Sequence, residues 1–283
     1  MKKTANILIT IIAIMSLSGC TSNFKVNEDA VKEVSDKITE TIIDTVGKEK
    51  AEKQESQTIN AVGLKTLNIK SAVGDINITT HESEDAIINI NIASNSNSKE
   101  KAEQLIEDFT YTAEKQFNSI VIDTSNQGRL IDNDRIETEL NISIPSNIEN
   151  IIISLNVGNI NIKNINGKFE AVCNVSKINI ENSTGFYNLK TDVGDIVLNE
   201  STATEKSEFF TNTGDIKLSL SDITNAKAVT AKTSVGSIKM SLPENSSYKT
   251  VINEFMKDEK VETKGEGKTK IALETGVGSI DFN

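Results

Sequence analysis

Hydrophobic and polar residues alternate along most of the chain from residue 64 onward, and this alternation predicts β-strands. Every second side chain of such a strand faces a common core. The pattern returns at 136–144 and stops at Pro145, because proline lacks the amide hydrogen that a sheet requires. The predicted fold class is therefore all-β. The first alternating positions are Leu67, Ile69, Ile76 and Ile78.

Two segments instead carry hydrophobic residues at three- and four-residue steps, which predicts helices. The first is an amphipathic helix over 24–47, followed by a charged tether at Lys48–Gln57. This helix either docks on the main domain or serves as a stalk, and the pattern leaves both open. The second helix is inserted between strands at about 99–117, with Ser98 as its N-cap.

An internal repeat dominates the remainder of the chain. Each copy centres on a glycine that is followed by Asp, Asn or Ser and then by Ile, and Ser176 replaces the glycine in one copy. From residue 158 onward the copies are spaced by 18, 18, 20, 22 and 42 residues, so a degenerate copy is expected near 250–260. The glycines are Gly74, Gly158, Gly194, Gly214, Gly236 and Gly278.

The residues around each glycine predict a strand, a corner and a second strand. We expect inward side chains five, three and one positions before the glycine, and two and four positions after it. This change of parity requires one extra residue at the corner, as in a bulge or a bend with positive φ. Stacked copies would bury a continuous core. The prediction is a right-handed β-solenoid, a β-helix-like stack of coils of 18–22 residues, or an elongated β-sandwich with the same stacking.

The start of the chain has the pattern of an export signal. Lys2 and Lys3 precede an apolar run at 7–17, which is too short to cross a bilayer. The run ends in Leu-Ser-Gly-Cys at residues 17–20, which resembles the lipobox of bacterial lipoproteins. The resemblance implies that Cys20 is lipidated and becomes the mature N-terminus.

Three parts follow from this organisation. Residues 1–19 are a lipoprotein signal peptide. Residues 20–60 hold the lipid anchor, the amphipathic helix and the charged tether. Residues 61–283 form the β-strand-repeat domain.

The net charge of the chain disfavours anionic partners. The formal net charge is −11, and removal of the signal with Lys2 and Lys3 would bring it to −13. Such an acidic chain disfavours nucleic acid and anionic lipid headgroups as partners.

Candidate catalytic residues are few. Cys173 falls on an inward position and has no partner if Cys20 is lipidated, so we expect a buried thiol that packs as a small hydrophobe. His81 is the single histidine, which we place in a surface turn. Arg129 and Arg135 lie in a predicted loop at 126–135. No nucleophile motif, phosphate loop or metal-ligand spacing occurs, so we expect no catalytic site and no cofactor.

The residues that follow the corner glycines pose one question about metal binding. Asp195 and Asp215 would lie about 5 Å apart in successive coils, and stacked carboxylates can bind Ca²⁺. Lys177 beside them opposes a cation, and Asp, Asn and Ser also favour such corners for their turn chemistry. We favour the turn chemistry, and the sequence leaves cation binding open.

The ordered set of motifs resembles a bacterial β-strand-repeat family known as "putative adhesin", an exported domain without a settled activity. The shared motifs are the early Gly-Asp-Ile, the helix at 99–109, Ile-Ser-Ile-Pro at 142–145, Ser-Leu-Pro at 241–243 and the closing Gly-Ser-Ile-Asp-Phe. The resemblance covers about residues 60–283. It implies fold and location rather than a reaction.

These observations favour a non-enzymatic lipoprotein with a structural, adhesive or binding role in the cell envelope. Lipid on Cys20 would hold it to the outer face of the cytoplasmic membrane, or to the outer membrane of a two-membrane cell. A glycan or an envelope protein is the expected partner. The alternatives are an accessory lipoprotein of an envelope-stress system and, less favoured, a carbohydrate-active β-helix enzyme.

Overall fold

The computed structural model describes residues 47–125, 134–254, 257 and 259–283. The predicted signal peptide, Cys20, the helix at 24–47 and Arg129 lie outside the described residues. Within the described residues there are one helix, α1 (Lys99–Glu107), and eighteen strands. The strands are β1 (Glu49–Asn60), β2 (Thr66–His81), β3 (Asp85–Ser96), β4 (Thr112–Gln116), β5 (Ser119–Thr124), β6 (Arg135–Pro145), β7 (Asn150–Lys163), β8 (Asn166–Glu181), β9 (Thr184–Val193), β10 (Ile196–Ala203), β11 (Glu205–Thr213), β12 (Ile216–Asp222), β13 (Ala226–Val235), β14 (Ile238–Ser241), β15 (Tyr248–Glu254), β16 (Lys260–Lys264), β17 (Thr269–Val277) and β18 (Ile280–Phe282).

The fold is all-β, and equivalent strands of successive repeats pair parallel and in register. The isoleucine two positions after each corner lies opposite its counterpart, from Ile160 through Ile178 and Ile196 to Ile280. Strands β9, β11, β13 and β17 form one arm, before the corners, and β10, β12, β14 and β18 form the other. Strands β2, β7 and β8 run through the corner and belong to both arms. One hydrophobic cluster lies beneath both arms.

The degenerate copy is present, but it lies outside the series. Strand β15 pairs parallel with β17, with Ile252 opposite Leu273. Strand β17 also pairs directly with β13, where Ala231 lies opposite Leu273. The degenerate copy therefore covers the outer edge of β17 instead of separating β13 from β17. Strand β16 then pairs antiparallel with β15.

At the other end of the parallel series, β5 and β6 pair parallel with the two halves of β2, and the strands beyond them are antiparallel. Strand β5 pairs with the first half of β2 and carries β4 on its outer edge. Strand β6 pairs with the second half, and β3 and β1 follow it. Both ends of the parallel series are thus closed by antiparallel strands.

The predicted charged tether is wrong from Glu49 onward, because these residues form β1. All twelve of its residues pair with β3. Strand β1 needs few apolar residues, since it is an outer strand and charged side chains suit such positions. Tyr111 donates a hydrogen bond of 2.5 Å to the Glu55 carboxylate. Burial is the main cause, and this hydrogen bond the second, that raises the pKa of Tyr111 to about 12.

The inserted helix is shorter than predicted. It starts where expected, with Ser98 accepting a hydrogen bond from the amide of Lys101, but it ends at Glu107. Ala113 belongs to β4 instead, opposite Ile122. The segment after Asp108 is rich in aromatic and β-branched residues, which favour strands. Phe117, predicted at the end of the helix, lies in the turn between β4 and β5 with an exposed ring.

The predicted inward positions are right at four of the five columns. Side chains five and three positions before the corner, and two and four after it, are buried or half-buried in every copy. The column one position before the corner is wrong in five of seven copies: Val157, Val193 and Val277, for example, are 43%, 46% and 56% exposed, whereas the first and fifth members are half-buried. The bulge begins before the glycine, so these valines turn outward; the residue before them is also exposed or half-buried except in β2, where Ala72 is buried.

Candidate functional site

Each corner removes one backbone hydrogen bond from the parallel pairing. In a regular parallel pair the amide of Asp215 would donate to the carbonyl of Gly194. The amide of Gly194 does donate to Thr213, at 2.8 Å, and that of Ile196 to Asp215, at 2.9 Å. The bond between them is missing, which leaves one carbonyl and one amide to be satisfied by other groups.

Threonines three positions before the next corner satisfy the carbonyl. Thr211 donates its hydroxyl to the carbonyl of Gly194 at 2.9 Å, and Thr233 to that of Gly214 at 2.9 Å. Thr275 does the same for Gly236 at 2.7 Å. These threonines are buried. They explain why a polar residue recurs at an inward position.

The residue after the glycine satisfies the amide. Asp195 accepts the backbone amide of Asp215 at 2.9 Å, and Asp215 accepts that of Ser237 at 2.9 Å. Asp75 likewise accepts the amide of Asn159 at 2.8 Å. These bonds join one repeat to the next, whereas the turn chemistry expected from the sequence lies within a single turn. Within the described residues, no three His, Cys, Asp or Glu side chains lie close enough to hold a metal ion together.

Glycine is required at the corner for two reasons. The six predicted corner glycines have φ between +129° and +149°, a region that side-chain-bearing residues rarely adopt. A Cβ at Gly214 would also lie 2.1 Å from the carbonyl oxygen of Gly194, and one at Gly236 would lie 2.0 Å from that of Gly214. Each glycine therefore lets the preceding corner carbonyl approach closely.

Ser176 replaces a glycine without this bulge. It lies inside β8, its φ is not positive, and it pairs directly with Gly158. The bond from Thr191 to its carbonyl is longer, at 3.3 Å. Cys173 occupies the threonine column of the same copy and is buried. Burial raises the pKa of its thiol to about 11, so it does not provide a thiolate nucleophile.

Two other candidates do not form a site. His81 ends β2 opposite Pro145, so its placement in a turn is wrong. Arg135 starts β6 rather than lying in a loop, and it forms an ion pair of 2.6 Å with Glu137. Neither lies near Cys173 in the strand pairing. The one described helix, α1, has neither the length nor the hydropathy of a membrane span.

The outward column one position before the corners forms a continuous surface, which we call the valine stripe. Its members face one another in parallel register from β2 to β17. Seven rungs at about 4.8 Å per strand extend over about 29 Å. The stripe consists of Val73, Val157, Val175, Val193, Thr213, Val235 and Val277.

A groove of about 530 Å³ lies at one end of the valine stripe. Val73 and Val157, the first two rungs, form part of its wall together with Asp75 and Asn159. The remaining wall comes from β1, β3 and β6 and includes Arg135. Among the described residues, no aromatic side chain lines the groove. Its volume is within the range of small-ligand sites.

Neither the threonine column nor the valine stripe was assigned a role by sequence reasoning. A run of hydroxyl residues at an inward position was the available indication for the first. The second was hidden because valine before the glycine fits an inward position equally well.

No protein-family model and no curated protein matches this chain. The solved structures that are similar to it include the following three. A "putative cell adhesion protein" from Clostridium sporogenes is 17% identical with a TM-score of 0.35, over 82% of this chain and 99% of that one. A "putative adhesin" from Bacteroides fragilis is 18% identical with a TM-score of 0.44, over 82% and 97%. A "putative adhesin" from Parabacteroides merdae is 14% identical with a TM-score of 0.31, over 84% and 98%.

Proposed function

We propose that this chain is an exported lipoprotein, anchored through Cys20, whose β-repeat body displays a non-enzymatic binding surface in the cell envelope. The observation that carries the proposal is the use of the polar side chains at the corners. Thr211, Asp195 and their counterparts are engaged in hydrogen bonds that hold one repeat to the next. Such residues build a scaffold rather than a reaction centre.

The body winds, in this proposal, as a right-handed β-solenoid and belongs to the adhesin-type family that its motifs resemble. The parallel register between repeats at offsets of 18, 20 and 22 residues supports the winding. The single hydrophobic cluster beneath both arms supports it as well. The anchor would hold this body at the outer face of the cytoplasmic membrane, or at the outer membrane of a two-membrane cell.

The chain offers a matched pair of cysteines to test the anchor. The full-length protein is expressed in bacteria that are fed an alkyne-bearing fatty acid, and lipid incorporation and membrane fractionation are measured. We expect Cys20→Ser to abolish both labelling and membrane association. Cys173→Ser should leave both unchanged. Labelling that persists in Cys20→Ser would refute lipidation at this residue.

The non-enzymatic part of the proposal has its own test. The protein is incubated with a panel of polysaccharides, and new reducing ends are measured. We expect no turnover. Turnover that disappears in Asp195→Asn or Asp215→Asn would overturn the proposal and favour the carbohydrate-active alternative.

A further inference from the structure

We infer that the valine stripe and the groove form one binding site for an extended, neutral polysaccharide, which lies along the stripe with one end in the groove. The inference rests on the proposed binding function and names its ligand class and its site. Two features of the surface indicate that stripe and groove act together. The rungs are in continuous register, and Val73 and Val157 belong to both.

The stripe is apolar at its centre and polar along both sides. Residues two positions before the corner are chiefly Asn and Asp, as at Asn174, Asp192 and Asn212. Residues one position after the corner include Asp75, Asn159 and Asp195. Valine side chains can contact the C–H faces of sugar rings, while amides and carboxylates can bond their hydroxyls.

These polar side chains keep bonding capacity for a ligand. Asp192 uses one carboxylate oxygen to accept from Asn212 at 2.9 Å. Asp195 uses one oxygen for the amide of Asp215. In the part of the chain that the structure describes, the second oxygen of each has no hydrogen-bond partner. The neighbours hold these side chains in fixed orientations, which lowers the entropy lost when a ligand binds.

An extended peptide fits this surface less well. A peptide binds to sheets mainly through unpaired backbone groups. At the corners beneath the stripe, the amide of Gly214 donates to Val235, and the carbonyl of Gly214 accepts from Thr233. The backbone there has no open edge to offer, so recognition must come from side chains.

The charge of the chain and the spacing of the rungs restrict the class of ligand further. A net charge of −11 and the aspartates beside the stripe repel polyanions and a second copy of this chain. The rungs repeat about every 4.8 Å, close to the length of one sugar unit in an extended chain. In an extended β-1,4-linked chain every second unit has the same orientation, so such a polymer can repeat one contact at alternate rungs, and weak contacts then sum.

The test measures binding of the full-length protein to cello-, laminari- and chito-oligosaccharides of increasing length by calorimetry. We expect affinity for at least one series to rise with length and to level off near seven units, the number of rungs. Val157→Asp with Val193→Asp should weaken binding at least tenfold. Val261→Asp is the matched control, because Val261 is 51% exposed but lies on β16, away from the stripe.

A milder pair of substitutions tests the stripe in case the aspartate variant fails to fold. Thr213 already occupies one rung, so Val157→Thr with Val193→Thr should fold and weaken binding by a smaller factor. Absence of binding to all three series, binding unaffected by the stripe variants, or binding only to peptides would overturn the inference. Affinity capture of envelope material from intact cells distinguishes failure of this binding site from failure of the proposed function. Capture that survives in the stripe variants refutes this site but not the proposed function, whereas no capture by the native protein refutes the function.

Discussion

Substitution of Thr233 by valine isolates the hydrogen bond that repairs the corner. Valine has nearly the same shape, so packing in the buried column is preserved while the donor to the Gly214 carbonyl is lost. That oxygen faces the Cα of Gly236 closely enough that a Cβ there would lie 2.0 Å away. Water therefore has little access to it. An unsatisfied buried acceptor costs about 1–3 kcal/mol.

This cost translates into a measurable change in thermal stability. For a domain of this size, 1 kcal/mol lowers the melting temperature by about 2–4 °C, so we expect Thr233→Val to lower it by several degrees. Thr233→Ser, which keeps the hydroxyl, should recover most of the loss. Thermal melting followed by circular dichroism gives the melting temperature, and urea denaturation gives the free energy of unfolding. An unchanged slope of this free energy against urea concentration would show that the compactness of the unfolded state is the same.

Thr191→Val provides the internal comparison. Thr191 bonds to Ser176 at 3.3 Å, in the copy without a bulge, so its loss should matter less. The reasoning is refuted if Thr233→Val is as stable as the native protein. It is also refuted if both substitutions cost the same, because the effect would then not depend on the corner.

Two further predictions concern the same columns. Gly214→Ala should destabilise the protein more than Thr233→Val, because its Cβ would lie 2.1 Å from the Gly194 carbonyl oxygen. Gly63→Ala is the control: this glycine has a positive φ but open space around it, so the substitution should cost only about 1–2 kcal/mol in backbone strain. Equal losses of melting temperature in the two alanine variants would contradict the close approach. The Cys173 thiol should resist a thiol reagent at pH 8 until the protein unfolds. Burial raises the pKa of this thiol from 9.0 to about 11, so between pH 9 and pH 11 unfolding releases a proton. The stability that Cys173 contributes is therefore complete below pH 9 and declines towards pH 11. Denaturation midpoints that fall equally with pH in Cys173→Ala would contradict this assignment.

The repeat and its inward columns could be predicted because they depend on local periodicity. Ile196 and its counterparts recur with one spacing, and a strand with period two must bury them. The glycine column was equally visible, since few other residues tolerate such corners.

What escaped prediction depends on contacts between distant segments. Strand β1 is mostly polar, with Ala51 and Ile59 as its apolar residues, and its pairing with β3 defines it as a strand. The outward turn of Val193 follows from where the bulge starts, which a change of parity cannot locate to one residue. The position of β15 depends on which edge of β17 it covers, and spacing along the chain does not contain that choice.

The placement of β15 and β16 has a consequence for the order of assembly. These strands precede β17 in the chain but lie beyond it in the sheet, so β17 must enter between β13 and β15 after both have been made. During synthesis the growing parallel series carries an unpaired edge of β13 until residues 269–277 have been made. This one late strand pairs with the free edges of both β13 and β15. Loss of this short segment would separate β15 and β16 from β13 and expose an edge of the kind that recruits other chains.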